Sequence, residues 1–91
     1  DYHIYPVSVR DNLSINGAIA TSEIIEAIQK VGLQNRIHDI DNVIGKELSD
    51  RGLMLSGGER QRLALARMIA YLVNIHTEKR YANQILHEAT M

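Results

Sequence analysis

Leu55-Ser56-Gly57-Gly58-Glu59 carries the residue types best suited to chemistry in this 91-residue sequence. Ser56 followed three residues later by Glu59 is a capping box, the pattern that opens a helix. The first N–H groups of a helix lack intrahelical partners and carry the positive end of its dipole. Two glycines are poor helix formers in that first turn, so their use is to let another group approach the backbone. A serine hydroxyl, bare amides and a helix start together make an anion site, most often for phosphate. The plainer reading is a capped helix with a glycine-rich lead-in, and these five residues alone leave both open. Elsewhere the chemistry is thin. There is no cysteine, which excludes disulfides, thiolate metal sites and cysteine nucleophiles. His3, His38, His76 and His87 show no paired spacing for a metal, so no metal site is expected. Asn12-Leu13-Ser14 fits the glycosylation acceptor pattern, but nothing in the sequence suggests secretion.

A helix must stand behind Ser56. Leu63, Ala66, Ile69, Ala70 and Val73 repeat at intervals of three and four, which predicts a long helix from about Gly57 to about Asn74. Ile24, Ile25, Ile28 and Val31 form a second stripe, with Thr21 or Ser22 as cap and Gly32 as stop. Val9 to Ser14 suits one helical turn, Asn16-Gly17 a turn, and Leu33 to about His38 a short helix. Residues 39–52 read mostly as loop. In the tail, Tyr81, Ala82, Ile85, Leu86 and Ala89 share a helical face with Thr77 as a cap; the alternative is a short strand at Gln84–His87. The fold class expected is all-α or mainly α, a small bundle of about four helices. Arg60, Arg62 and Arg67 read as a solvated face with some helix packing.

Length and composition set the outer bounds. A chain this short holds one modest core. Apolar residues make up 45% and charged residues 23%, an ordinary globular balance. The formal net charge of −1 argues against nucleic acid as a partner. With no Phe or Trp and four Tyr, the core rests on Ile, Leu, Val and Ala. No apolar run approaches the ~20 residues of a membrane span, and no signal peptide is visible. The sequence begins at Asp1 rather than Met, which suggests processing or an excised piece.

Residues 55–67, Leu-Ser-Gly-Gly-Glu-Arg-Gln-Arg-Leu-Ala-Leu-Ala-Arg, resemble the signature motif of ATP-binding-cassette (ABC) ATPases and the helix behind it. Glu59 stands where the family more often has Gln. Lys46 to Gly52 resembles the loop before the signature in exporter-type cassettes, with Glu47 matching its acidic residue. Ser8-Val9-Arg10-Asp11-Asn12-Leu13 resembles the exporter segment after the Q-loop, whose glutamine would fall one position before Asp1. The resemblance runs from about Asp1 to about Ala70. It implies a helical signature subdomain over 1–75 and a Walker-B-like tail over 76–91, one partial domain in all. It implies that Leu55, Ser56, Gly57, Gly58 and Glu59 form a nucleotide-binding motif for ATP bound by a second nucleotide-binding domain, head to tail, with Ser56, Gly57 and Gly58 on the γ-phosphate and Glu59 facing the ribose side or capping the helix. It implies a coupling role toward transporter membrane domains for Glu47 and the segment near Tyr2 to Ser8. ATP and Mg²⁺ would belong to the parent assembly, at the cytoplasmic face of a membrane.

The family pattern also fails in two places. No Gly-x-x-x-x-Gly-Lys-Ser/Thr phosphate loop is present in the sequence, so the chain is expected to be inactive as an ATPase alone. Ile85-Leu86-His87-Glu88-Ala89-Thr90 resembles the Walker B strand and the catalytic glutamate after it. His87, however, replaces the aspartate that supports Mg²⁺, a cation that prefers oxygen. On that resemblance Glu88 would be the general base. Two other functions remain open: a helical interaction module without nucleotide chemistry, and a piece of a DNA-maintenance ATPase, which shares the signature. At this size exposed apolar faces also suggest self-association.

Overall fold

The computed structural model of the chain describes residues 3–14, 17–45 and 52–90. Among these residues the structure is mainly helical, with three helices and no sheet. They are α1 (Val9–Leu13), α2 (Thr21–Lys30) and α3 (Gly57–Thr90). The only extended pairing among the described residues is two isolated bridges, Ser8 with Val43 and Ile44 with Leu53.

The bundle is therefore smaller than the four helices expected, for two local reasons. Leu33 and Ile37 are both buried, yet the segment between them makes only turns, closed by Arg36 N–H and Ile37 N–H on the Leu33 carbonyl. Gly32, at φ +76°, ends α2 just before it. In the tail the strand alternative at Gln84–His87 gives way to helix, and Thr77 caps nothing. No Gly or Pro follows Gly58, so nothing interrupts α3, which runs 34 residues or about 51 Å.

The caps follow the sequence unevenly. Ser8 caps α1, its hydroxyl accepting from the Asp11 N–H at 2.9 Å. The N-cap of α2 is Ala20, with no side-chain bond. Thr21 or Ser22 is the expected cap, and Thr21 instead accepts from Arg10 Nη1 at 2.7 Å. Of the expected α2 stripe, Ile24, Ile28 and Val31 are buried and Ile25 is exposed.

The core joins Val9 and Leu13 of α1, Ile24, Ala27 and Ile28 of α2, and Leu63, Ala66 and Ala70 of α3. Ile4, Ile19, Val31, Leu33, Ile37, Ile44 and Leu55, outside the helices, complete it. The apolar core is aliphatic throughout, as the composition required, with Asn12 and Ser14 buried beside it. The core ends near Ala70, whereas α3 continues, and residues 76–89 are all exposed. The molecule is accordingly elongated, 60 × 25 × 20 Å.

Candidate functional site

The anchor beneath the site is Asn12, which is 1% exposed. Its Nδ2 donates to the carbonyls of Tyr5 and Ser8, both at 3.0 Å, and of Val7 at 3.3 Å. Its Oδ1 accepts from the Tyr5 N–H at 2.9 Å and from Arg67 Nη2 at 3.2 Å. Arg67 Nε donates to the Asn12 carbonyl at 2.7 Å, and its guanidinium carbon lies 5.8 Å from the Tyr5 ring centroid. One buried amide thus fastens the Tyr5–Ser8 strap to α1, and Arg67 fastens both to α3. Arg67 spends its fork on this packing rather than on solvent. Because Asn12 is buried and fully bonded, it is not available as a glycosylation acceptor.

α3 starts as the capping box requires. Ser56 Oγ accepts from the Glu59 N–H at 3.1 Å, and Glu59 Oε1 accepts from the Ser56 N–H at 2.8 Å. Glu59 Oε2 accepts from Arg36 Nε at 2.7 Å. Arg36 Nη2 also donates to the Met54 carbonyl. The Ser56 backbone bond, then Arg36, hold the Glu59 carboxyl below its ordinary range. Arg36 carried no local signal in the sequence. It reaches the box only because Gly32 turns the chain and Leu33 and Ile37 anchor the following turn in the core.

The box leaves a specific remainder. It satisfies the amides of Ser56 and Glu59 and leaves those of Gly57 and Gly58, which find no acceptor among the described residues. Both glycines are exposed, and a Cβ added to either would meet nothing within 4 Å. Leu55 is buried and fixes the approach to the helix. Two donors therefore point from a helix start into open space, with a serine hydroxyl beside them and the nearby carboxylate turned onto Arg36. That arrangement can receive an anion.

The loop before the signature is pinned at its base. The Gly45 N–H donates to the Leu53 carbonyl at 2.9 Å and the Leu53 N–H to the Val43 carbonyl at 2.7 Å. Gly52 is packed so tightly there that a Cβ would lie 2.6 Å from the Gly45 nitrogen and 2.7 Å from the Val43 oxygen. Glu47 itself lies outside the described residues, as do Tyr2 and Asn16. On the opposite side, Arg10 Nε meets Asp41 Oδ1 at 2.9 Å and ties α1 to the loop that precedes this base. Glu88 is not brought to the site. It is exposed on α3, thirty residues beyond Gly58, or about 45 Å along the helix.

The described residues thus combine a helix start with two exposed glycines, a preceding loop pinned at its base, and a strap fastened by Asn12. Comparison with characterised proteins finds similarity to transporters. The chain is 39% identical over 70 residues, 76% of its length, to "Iron-sulfur clusters transporter ATM1, mitochondrial" of Debaryomyces hansenii. It is 36% identical over 69 residues, 72% of its length, to "ABC transporter B family member 18" of Arabidopsis thaliana. It is 31% identical over 68 residues, 74% of its length, to "Glutathione/L-cysteine transport system ATP-binding/permease protein CydD" of Bacillus subtilis. The chain belongs to the ATP-binding-cassette transporter family. Within that family it corresponds to part of an exporter-type nucleotide-binding domain. It spans only 10%, 6% and 12% of those three proteins. No family model matches it, and no solved structure does. Among the described residues no helix is long and apolar enough to cross a membrane.

Proposed function

We propose that this chain presents the signature Ser56–Glu59 to the γ-phosphate of ATP held by a second nucleotide-binding domain, head to tail. In the parent transporter, at the cytoplasmic face of the membrane, this contact would couple ATP hydrolysis to transport. The observation that carries the reading is the pair of unpartnered amides at Gly57 and Gly58, open to solvent on both residues. They supply fixed donors for a phosphate oxygen, and Ser56 adds a hydroxyl. Glu59 keeps its charge on Arg36 and so does not repel the incoming anion. ATP bound by the partner would bring the phosphate charge to these donors. Mg²⁺ would come with it, on the phosphates it bridges.

In the same reading the loop carrying Glu47 and the segment near Tyr2 to Ser8 face the membrane domains. Glu88 would act as general base only with the tail re-formed as a strand against a cassette's central sheet. The chain itself turns over no ATP, because it supplies no phosphate loop.

The test mixes the purified chain with an exporter-type nucleotide-binding domain that binds but does not hydrolyse ATP. ATP-dependent association, absent with ADP and lost on Gly58→Asp, is the expected result. Magnesium-dependent ATP turnover by the chain alone would overturn the reading. A second reading, a helical interaction module, is favoured by the apolar side chains exposed along α3. Association that ignores the nucleotide and survives Gly58→Asp would support it instead.

A further inference from the structure

Among the described residues Arg36 is the one cation paired with Glu59, and it comes from outside the signature. Gly32, at φ +76°, turns the chain out of α2. Leu33 and Ile37 then anchor the next turn in the core, and the Arg36 N–H closes that turn on the Leu33 carbonyl at 3.0 Å. From there the side chain reaches the helix start. Its Nε donates to Glu59 Oε2 at 2.7 Å and its Nη2 donates to the Met54 carbonyl. The arginines that follow Glu59 are engaged elsewhere. Arg60 Nη2 reaches the Ile4 carbonyl at 3.5 Å, Arg62 lies beside Gly32, and Arg67 holds Asn12.

The Glu59 carboxylate needs such a partner. The capping box fixes its Oε1 on the Ser56 N–H at 2.8 Å, so the charge sits next to the amides of Gly57 and Gly58. The positive end of the helix dipole attracts it to the same place. A carboxylate is thus tethered beside two N–H groups that have no acceptor among the described residues, and such amides are groups a carboxylate binds well. Oε2 is the oxygen the box leaves over, and it is the one Arg36 takes. The Glu59 side chain is only 14% exposed and that of Arg36 is 46% exposed, so the carboxylate is tucked against the guanidinium rather than displayed to solvent.

We infer that Arg36 is a positioning residue for the signature: by holding Oε2 it keeps the Glu59 carboxylate off the Gly57 and Gly58 amides, and so keeps those donors free for a phosphate. What the amides receive rests on the signature reading, whereas what Arg36 does to them does not. Without Arg36, Oε2 loses its donor and the carboxylate becomes an internal competitor for the anion site. The effect passes through Glu59, so it vanishes when that side chain carries no charge.

A double-mutant cycle between Arg36→Met and Glu59→Gln tests it. The first arm follows amide proton and nitrogen NMR shifts of the chain alone. Arg36→Met should move the Gly57 and Gly58 amide protons downfield as they take the carboxylate, and the same substitution made on Glu59→Gln should not. The second arm follows ATP-dependent association with an exporter-type nucleotide-binding domain that binds but does not hydrolyse ATP. Arg36→Met should weaken that association about tenfold in the native chain and by less than about twofold on Glu59→Gln. Circular dichroism checks the fold, and Arg36→Gln, a milder loss of the same charge, repeats the cycle if Arg36→Met does not fold. A plain staple between the Arg36 turn and Met54 would cost the same in both backgrounds, and that result overturns the inference. Gly57 and Gly58 amides unmoved by Arg36→Met overturn it too. A native chain with no ATP-dependent association overturns the signature reading instead, and the first arm alone then decides the role of Arg36.

Discussion

Replacing Gly57 and Gly58 together by alanine separates what the fold needs from what the site needs. Neither glycine has the positive φ that would require it, since Gly17 and Gly32 are the positive-φ glycines among the described residues. Neither would clash, since nothing lies within 4 Å of an added Cβ. Alanine is better than glycine in a helix by about 0.5–1 kcal/mol per residue. The double variant should therefore be more stable by about 1–2 kcal/mol. For a domain of this size that raises the melting temperature by roughly 4–16 °C, read as the loss of helical circular dichroism. On the proposed reading the same two methyl groups would crowd a phosphate brought to the amides. ATP-dependent association with a second nucleotide-binding domain should fall about tenfold or more, as expected for blocked donors. A lower melting temperature would mean that the glycines serve the fold. A higher one with association unchanged would mean that the amides do not receive the phosphate.

Three further outcomes follow from the contacts. Gly52→Ala should destabilise by about 1–3 kcal/mol, the opposite sign, because its Cβ would run into the Gly45 and Val43 backbone; urea unfolding measures it, and faster exchange of the Gly45 amide would accompany it. Asn12→Ala removes five side-chain hydrogen bonds in a buried setting and should cost about 2–4 kcal/mol, read from the same unfolding curves. Glu59 has a folded pKa below its ordinary 4.5, so its stabilisation is complete above that value and is lost as pH falls through the folded one. Glu59→Gln should flatten that part of the melting-temperature decline between pH 7 and pH 3. The remaining part includes Asp41, whose carboxyl is lowered by the hydrogen bond from Arg10.

The parts of the fold legible in the sequence are those written locally. Ser56 and Glu59 are three residues apart, so the capping box and the start of α3 could be read directly. The Ile24–Ile28–Val31 spacing likewise revealed α2. What stayed hidden depends on distant contacts. Arg36 reaches Glu59 across 23 residues, and nothing in its neighbours announces that. Asn12 sits in a short polar run and looks solvated, yet its amide is what the strap, α1 and α3 are built around. α3 runs past the expected end near Asn74, because no Gly or Pro enforces a break there. The Walker-B-like pattern at residues 85–90 favours a strand only beside a sheet. With none among the described residues, its N–H groups bond back along α3 and its last carbonyls are left to solvent.

The most direct test of the signature contact is residue by residue. Amide proton and nitrogen NMR shifts of the chain, titrated with a non-hydrolysing exporter-type nucleotide-binding domain, locate the phosphate contact. With that domain loaded with ATP, the largest shifts should fall on Gly57 and Gly58, next to Ser56, and they should vanish when ADP replaces ATP. Shifts that are the same with both nucleotides, or that leave Gly57 and Gly58 unmoved, would contradict the account.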